Sequence, residues 1–271
     1  MKAFSSSRTR AGMLLVALAL VGGTGCITTA IVHDVQQKNR MREAEEARQK
    51  RMALLLPLAD AGDAAAATAL VREMLAVPAS TPVDQARVFA LLSRAADQAY
   101  GPAQALLGEI MVTGTIQTAY YGRLTAGPGF RDRERGLQLL RQAATQACVF
   151  RQERGSYSPG SIQPAITLSR ELERVGRADE GRLWRARSVL HCGQPGAESL
   201  SWQTVGNRTT PAQRTQALAL MLLTGDAARV ATAEAAMPAE EVAAARREAE
   251  QLRRQVAQSE QQYPAPGRKE M

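Results

Sequence analysis

The sequence predicts an all-α protein in which antiparallel helical hairpins stack into an α-solenoid. Two observations support this fold class. Aromatic residues make up only 4% of the chain while alanine is abundant, a composition that suits closely packed short helices better than a β-sheet core. In addition, one helical segment recurs with the same internal spacing, as in repeat proteins.

The recurring segment is a helix that begins with aspartate. Its apolar and small residues are spaced by four, three and four positions, so they share one helical face, and the aspartate can accept from the free backbone amides of the first turn. The two clearest copies read Asp84-x-x-x-Val88-x-x-Leu91-x-x-x-Ala95-Ala96-x-x-Ala99 and Asp132-x-x-x-Gly136-x-x-Leu139-x-x-x-Ala143-Ala144-x-x-Ala147. A partner helix between them follows Gly101-Pro102 and reads Ala103-x-x-x-Leu107-Gly108-x-x-Met111-x-x-Gly114.

This pair of helices resembles the Sel-one-like repeat family, a branch of the tetratricopeptide-like helical hairpins. Here Met111 occupies the position of a family tyrosine, and Leu91 and Leu139 occupy that of a tryptophan or tyrosine. The resemblance implies about four hairpins, with the repeats covering 53–193. Because Gly108 has no side chain, it would let neighbouring helix axes approach closely.

The first 25 residues have the pattern of a secretory signal. Basic residues precede an apolar run over 13–21, which is shorter than the ~20 residues needed to span a bilayer. Small residues then lead into Cys26, which resembles the lipobox of bacterial lipoproteins, although Gly23 stands where the family usually has leucine. The resemblance implies cleavage after residue 25 and a diacylglycerol anchor on Cys26. Because Ile27 follows, it implies the periplasmic face of the outer membrane. Plain secretion is the alternative.

Residues 26–52 are predicted to form a charged helical spacer between the anchor and the repeats. Asp34 lies four positions before Lys38, and Glu46 lies four positions before Lys50, a spacing that places opposite charges on one side of a helix.

Residues 194–260 are predicted to form helices that cap the C-terminal end of the solenoid. Pro211 should begin one helix, and another should begin near Pro238. The second has apolar positions spaced by three and four residues, which indicates either a capping helix or a short coiled coil. Those positions are Val242, Ala245, Ala249, Leu252 and Val256. Residues 261–271 contain two prolines and are predicted to be disordered.

Composition and motifs argue against catalysis and against nucleic-acid binding. The formal charge of +8 is modest, and basic and acidic residues alternate along the chain instead of forming a basic block. The two histidines, His33 and His191, have no recognisable nucleophile or acid partner, and no glycine-rich phosphate loop follows a strand. We therefore expect no enzymatic activity, no cofactor and no metal.

Two further cysteines occupy related places in the repeat. In the repeat register, Cys148 and Cys192 both lie at the C-terminal ends of second helices, in consecutive hairpins. Helices so placed pack about 8 to 10 Å apart, which lets the two side chains form a disulfide. Two buried free thiols are the alternative.

Two long connections interrupt the repeat, at 115–131 and 149–161. They contain five of the eleven aromatic residues of the chain, a concentration typical of recognition surfaces. The alternative is that the aromatic side chains fold back and plug the groove between hairpins. The candidate partner-binding residues are Tyr120, Tyr121, Arg123, Phe130 and Tyr157.

These features together predict a membrane-tethered, non-catalytic scaffold that binds other proteins of the bacterial cell envelope. The family resemblance implies an assembly of the secretion or polysaccharide-export type. A glycan-binding module for peptidoglycan or an exopolysaccharide is the alternative, with Tyr120, Tyr121 and Arg123 contacting sugar.

Overall fold

The computed structural model describes the backbone of 8–78, 80–119, 122–146, 163–192 and 210–264. Within these ranges the side chains are described from His33 onward, except that of Cys192. The chain divides into two compact units, Met1–Ala53 and Leu54–Met271. The boundary lies within the first helix, four residues before Pro57. Because proline has no amide hydrogen, the carbonyl of Ala53 loses its helical donor there.

Helix α1 spans Arg8–Asp60, so the backbone is helical over the described part of the predicted signal segment, 8–25, and through the predicted spacer. The first predicted ion pair is confirmed, with Lys38 Nζ 2.7 Å from Asp34 Oδ2. Glu46, predicted to pair with Lys50, pairs instead with Arg42, at 3.8 Å. These pairs are exposed to solvent, so each stabilises the helix by about 0.5 kcal/mol or less. No helix in the part of the chain that the structure describes is long and apolar enough to cross a membrane.

The second unit confirms the predicted all-α solenoid of stacked helical hairpins. Its helices are α2 (Ala64–Leu75), α3 (Gln85–Asp97), α4 (Gly101–Thr113), α5 (Arg133–Thr145), α6 (Gln163–Arg174), α7 (Ala178–Cys192), α8 (Pro211–Leu222), α9 (Ala227–Ala235) and α10 (Ala239–Gln262). Within 53–193 the pairs in contact are α2 with α3, α4 with α5, and α6 with α7, and the count of about four is reached with the C-terminal pair α8 and α10, which was predicted as the cap. The hairpins stack because α3 also contacts α4, α5 contacts α6, and α7 contacts α10.

The aspartates predicted to begin the repeat helices are confirmed as N-terminal caps. Asp84 accepts from the amide of Arg87, and Asp132 accepts from the amide of Arg135, both at 3.0 Å. Each bond satisfies one amide that the first turn of a helix leaves free, which is worth about 1 kcal/mol.

Helices α4 and α5 approach each other closely at two glycines. A Cβ built on Gly108 would lie 2.8 Å from the carbonyl oxygen of Gly136, and a Cβ on Gly136 would lie 2.6 Å from Val112 Cγ2. The close approach expected of Gly108 is therefore confirmed. Leucines from α5 and α6 then form one core with Trp184 of α7.

The C-terminal helices pack against the last repeat hairpin, as a capping helix would. The face of α10 that carries Ala245, Ala249, Leu252 and Val256 is buried against α7 and α8. In its first turn the buried Glu241 accepts two hydrogen bonds from Arg214 of α8, at 2.9 and 2.5 Å. Helix α9 follows α8 along the chain and packs against it.

The predicted disordered tail begins too early. Helix α10 continues to Gln262, and the ring of Tyr263 packs 5.3 Å from that of Trp184. Arg187 of α7 is 2% exposed and donates to the carbonyl oxygens of Ser259, at 3.4 Å, and Tyr263, at 2.5 Å. Its guanidinium also lies 5.4 Å from the Trp184 ring, and burial lowers the pKa of Arg187 from its ordinary value. These contacts hold the end of α10, because Arg187 gives a donor to the carbonyl of Tyr263, which follows the last helical residue. The carbonyl of Ser259 accepts from Arg187 and also from the amide of Tyr263, at 2.7 Å.

Candidate functional site: an inserted hairpin docked on the solenoid

The first long insertion forms a small β-hairpin where the sequence analysis expected only a loop. Strands β1 (Thr115–Gln117) and β2 (Arg123–Thr125) pair antiparallel, with Ile116 opposite Leu124. A 3-10 turn over Pro128–Phe130 follows. Ile116 is fully buried and Ala126 nearly so, so the insertion contributes two side chains to the core.

The two ends of the insertion are held together at the end of α4. Gly114 ends that helix in the left-handed region, at φ 64°, which a residue with a side chain rarely adopts. Its carbonyl accepts from the amide of Ala126 at 3.0 Å. Arg131 donates to the carbonyl of Thr113 at 3.4 Å, and its guanidinium fills the space that a Cβ on Gly114 would need. These hydrogen bonds therefore hold the first and last residues of the insertion close together.

The hairpin is also docked on the preceding repeat through Gln85, in the first turn of α3. The side-chain amide of Gln85 donates to the carbonyl of Thr125 at 3.2 Å and accepts from the amide of Gly127 at 3.1 Å. A further bond joins the amide of Ala119 to the carbonyl of Val77 at 3.1 Å. Each such hydrogen bond contributes about 1 kcal/mol, so three of them restrain the hairpin without depending on helix packing.

The ring of Phe130 packs back onto the same repeat. It stacks on Phe89 of α3 with 3.9 Å between ring centroids and 15° between the ring planes. Phe89 is itself buried, whereas Arg123 on β2 is exposed to solvent. Phe130 and Arg123 were both candidates for one binding surface, but Phe130 packs against α3 whereas Arg123 faces solvent.

Several candidate residues lie outside the described part of the chain. The backbone of Cys26 lies in α1 and that of Cys192 ends α7, but their side chains are not described. The flanking residues Ala119 and Gly122 are joined by a 3.1 Å hydrogen bond from the Gly122 amide to the Ala119 carbonyl. The residues wholly outside the described ranges are Tyr120, Tyr121, Cys148 and Tyr157.

The first helices of successive helical hairpins contact one another, and one of them, α4, also contacts β1 of the inserted hairpin. Helix α2 contacts α4, and α4 contacts α6. On α4 the partly exposed positions lie four, three and four residues apart, on one stripe that leads to the start of β1: Pro102, Leu106, Glu109 and Thr113.

Glu109 carries the charge on this stripe. Burial raises the pKa of Glu109 above its ordinary value; Arg170 of α6 opposes this, whereas the buried Glu171 adds to it. The stripe is therefore a half-buried surface that carries one partly desolvated carboxyl group.

Sequence reasoning missed the two residues that position the hairpin, Gln85 and Phe89. Both lie in a regular repeat helix, and their partners follow about 40 residues later, so no local pattern marks them. Within the described ranges, no three His, Cys, Asp or Glu side chains lie together as metal ligands would.

The fold and this site define a class of protein: a helical-hairpin solenoid with a β-hairpin insertion docked on the preceding repeat. No protein-family model, curated protein or solved structure matches the chain.

Proposed function

We propose that this protein is a non-catalytic interaction scaffold of the bacterial cell envelope, tethered to the membrane by lipid on Cys26. The observation that carries the proposal is the docking of the inserted hairpin. Stacking of the repeats requires neither the strands nor the hydrogen bonds of Gln85, yet these contacts position Ala119 and Gly122, the described residues on either side of Tyr120 and Tyr121. Backbone that is positioned before binding loses less conformational entropy when a partner arrives, which favours affinity.

The tether rests on the sequence around Cys26, and the scaffold role rests on the solenoid. Solenoids offer extended surfaces that bind proteins without catalytic groups. The resemblance to Sel-one-like repeats supports a partner within an envelope assembly of the secretion or polysaccharide-export type. Ile27 after the lipobox-like cysteine supports a location on the periplasmic face of the outer membrane.

The anchor is tested by Cys26→Ser. We expect this variant to lose labelling by a fatty-acid analogue and to move from the membrane fraction to the soluble fraction, because a serine hydroxyl does not accept the lipid. Cys148→Ser is the matched control and should keep both the label and the membrane location. A Cys26→Ser protein that stays in the membrane fraction as fully as the wild type would exclude the lipid anchor.

The recognition surface is tested by changing Tyr120 and Tyr121 to alanine together. If these side chains are a binding hot spot, capture of the partner from envelope extracts should weaken by ~2 kcal/mol or more, with little change in melting temperature. Leu190→Ala, at an exposed site on α7, is the control and should not alter capture.

Two other results with the double tyrosine variant would change the proposal. A lower melting temperature, with normal capture by the folded fraction, would mean that the tyrosines plug the groove and would end the recognition proposal. Loss of retention on peptidoglycan, without any captured protein, would instead support the glycan-binding alternative that includes Arg123.

A Gln85→Ala variant should reduce capture of the partner as well, because it releases the docked hairpin.

A further inference from the structure

The outer edge of β2 carries backbone hydrogen-bonding groups that the fold does not use. Across the hairpin, the amide of Ala126 donates to the carbonyl of Gly114. In an antiparallel pair, residues bonded across the pair alternate with residues whose amides and carbonyls point outward, so those of Arg123 and Thr125 point away from β1. Within the described ranges, only the Thr125 carbonyl among these four groups has a hydrogen-bond partner.

Gln85 occupies one place on this edge in the manner of a neighbouring strand. Its side-chain amide donates to the carbonyl of Thr125 and accepts from the amide of Gly127, at 3.2 and 3.1 Å. A residue of a parallel strand makes the same two bonds, to the residues before and after the one that it faces. A parallel third strand that ended just before Gln85 would therefore continue the pattern, by bonding to the carbonyl of Arg123 and the amide of Thr125.

The inserted segment is positively charged. The insertion 115–131 contains two arginines and no aspartate or glutamate, and 76–83, the connection that precedes α3, contains no acidic residue either. The nearest acidic residues along the chain, Asp84 and Asp132, accept hydrogen bonds as N-terminal caps of α3 and α5. The side chain of Arg123 is exposed and makes no hydrogen bond or ion pair with the other residues that the structure describes. A carboxylate brought beside β2 therefore meets a guanidinium that has no other partner.

We infer that an extended, acidic segment of the protein partner adds to the outer edge of β2 as a parallel third strand. The inference rests on the proposed scaffold function and names how that partner is held. Side chains alternate between the two faces of a sheet, so the added residue beside Arg123 lies on the exposed face, where a glutamate or aspartate can pair with the guanidinium. The next added residue lies beside the partly buried Leu124, where an apolar side chain fits.

The test uses short capped peptides in which glutamate and valine alternate, labelled and titrated with the full-length protein in a mild non-ionic detergent. We expect the wild type to bind them about tenfold more tightly than peptides with lysine in place of glutamate, because a charge-assisted hydrogen bond is lost. Arg123→Glu should reverse this preference. Arg94→Glu, at an exposed arginine on α3, is the matched control and should leave both affinities unchanged. Circular dichroism melts establish that each variant is folded.

Methylation of the peptide nitrogens tests strand addition and its direction. In the parallel register the valine amides donate to β2 and the glutamate amides point away. N-methylation of the valines should therefore abolish binding, whereas N-methylation of the glutamates should preserve it. An antiparallel strand would place the glutamate amides in the ladder, so the opposite result would overturn the inferred register.

The inference would be overturned by a wild type that binds none of the peptides, or that binds both N-methylated forms equally. Retention of a carboxylated polysaccharide such as polygalacturonate through Arg123, without peptide binding, would also overturn it and assign the edge to glycan. Capture from envelope extracts separates this inference from the proposed function. A partner that Arg123→Glu captures as fully as the wild type would refute strand addition alone, whereas extracts that yield no partner would refute the scaffold proposal.

Discussion

Gly108→Ala is expected to destabilise the protein by about 2 to 3 kcal/mol, through overpacking between α4 and α5. In the interior of a helix this substitution ordinarily stabilises by up to about 1 kcal/mol, because alanine has the higher helix propensity. Here the new methyl would lie 2.8 Å from the carbonyl oxygen of Gly136, 3.0 Å from Leu140 Cγ and 3.2 Å from Leu139 Cβ. The oxygen belongs to the backbone of α5, so relief of the contact requires the two helices to separate.

Urea unfolding followed by circular dichroism measures this effect. Gly136→Ala should be destabilising for the same reason, since its methyl would meet Val112 and the carbonyl of Gly108. Gly129→Ala is the control: no atom lies within 4 Å of the added carbon and its φ is not positive, so a change within about 0.5 kcal/mol is expected. An increase in stability for Gly108→Ala would show that helix propensity outweighs packing at this contact.

Arg187→Ala is expected to cost about 3 kcal/mol, and its effect should be concentrated at the end of α10. The substitution removes the side-chain donor to the carbonyl of Tyr263 and one of the two donors to the carbonyl of Ser259, and it leaves a space beside Trp184. The loss of a donor to the part-buried Tyr263 carbonyl and the lost packing along the arginine side chain both oppose folding.

Two measurements together check this expectation. Urea unfolding gives the overall loss, and hydrogen exchange should show faster exchange in the last turns of α10 than in its first turns. Arg247→Ala is the matched control, since Arg247 is an exposed arginine on the same helix. A loss below about 1 kcal/mol with unchanged exchange would mean that Tyr263 and the apolar face of α10 hold the helix without Arg187.

Local patterns were sufficient to predict the helices and much of their packing. The aspartate caps at Asp84 and Asp132 depend only on residues within one turn, so the sequence reveals them. The buried face of α10 follows from a spacing of three and four residues. Gly108 could be assigned to a close contact because a glycine in the middle of a helix needs a packing reason.

The inserted hairpin was not predictable in the same way. Its strands contain three residues each, which is too short for an alternating pattern to be recognised. Two of its docking bonds come from Gln85, 40 residues before Thr125, and nothing in the residues around Gln85 indicates that its side chain points to the insertion. Arg187 presents the same difficulty, since its acceptors lie 72 and 76 residues away.

Local patterns alone predict the all-α class, the start of the repeat helices, the C-terminal cap and the unusual length of the connection after Gly114. Each depends on periodicity, capping or composition, which act over a few residues. The stacking of Phe130 on Phe89, the exposure of Arg123 and the contact of Tyr263 with α7 are known only from the folded chain. The direction of a side chain outside a regular helix depends on which distant group offers it a contact, and the chain must fold before that group is near.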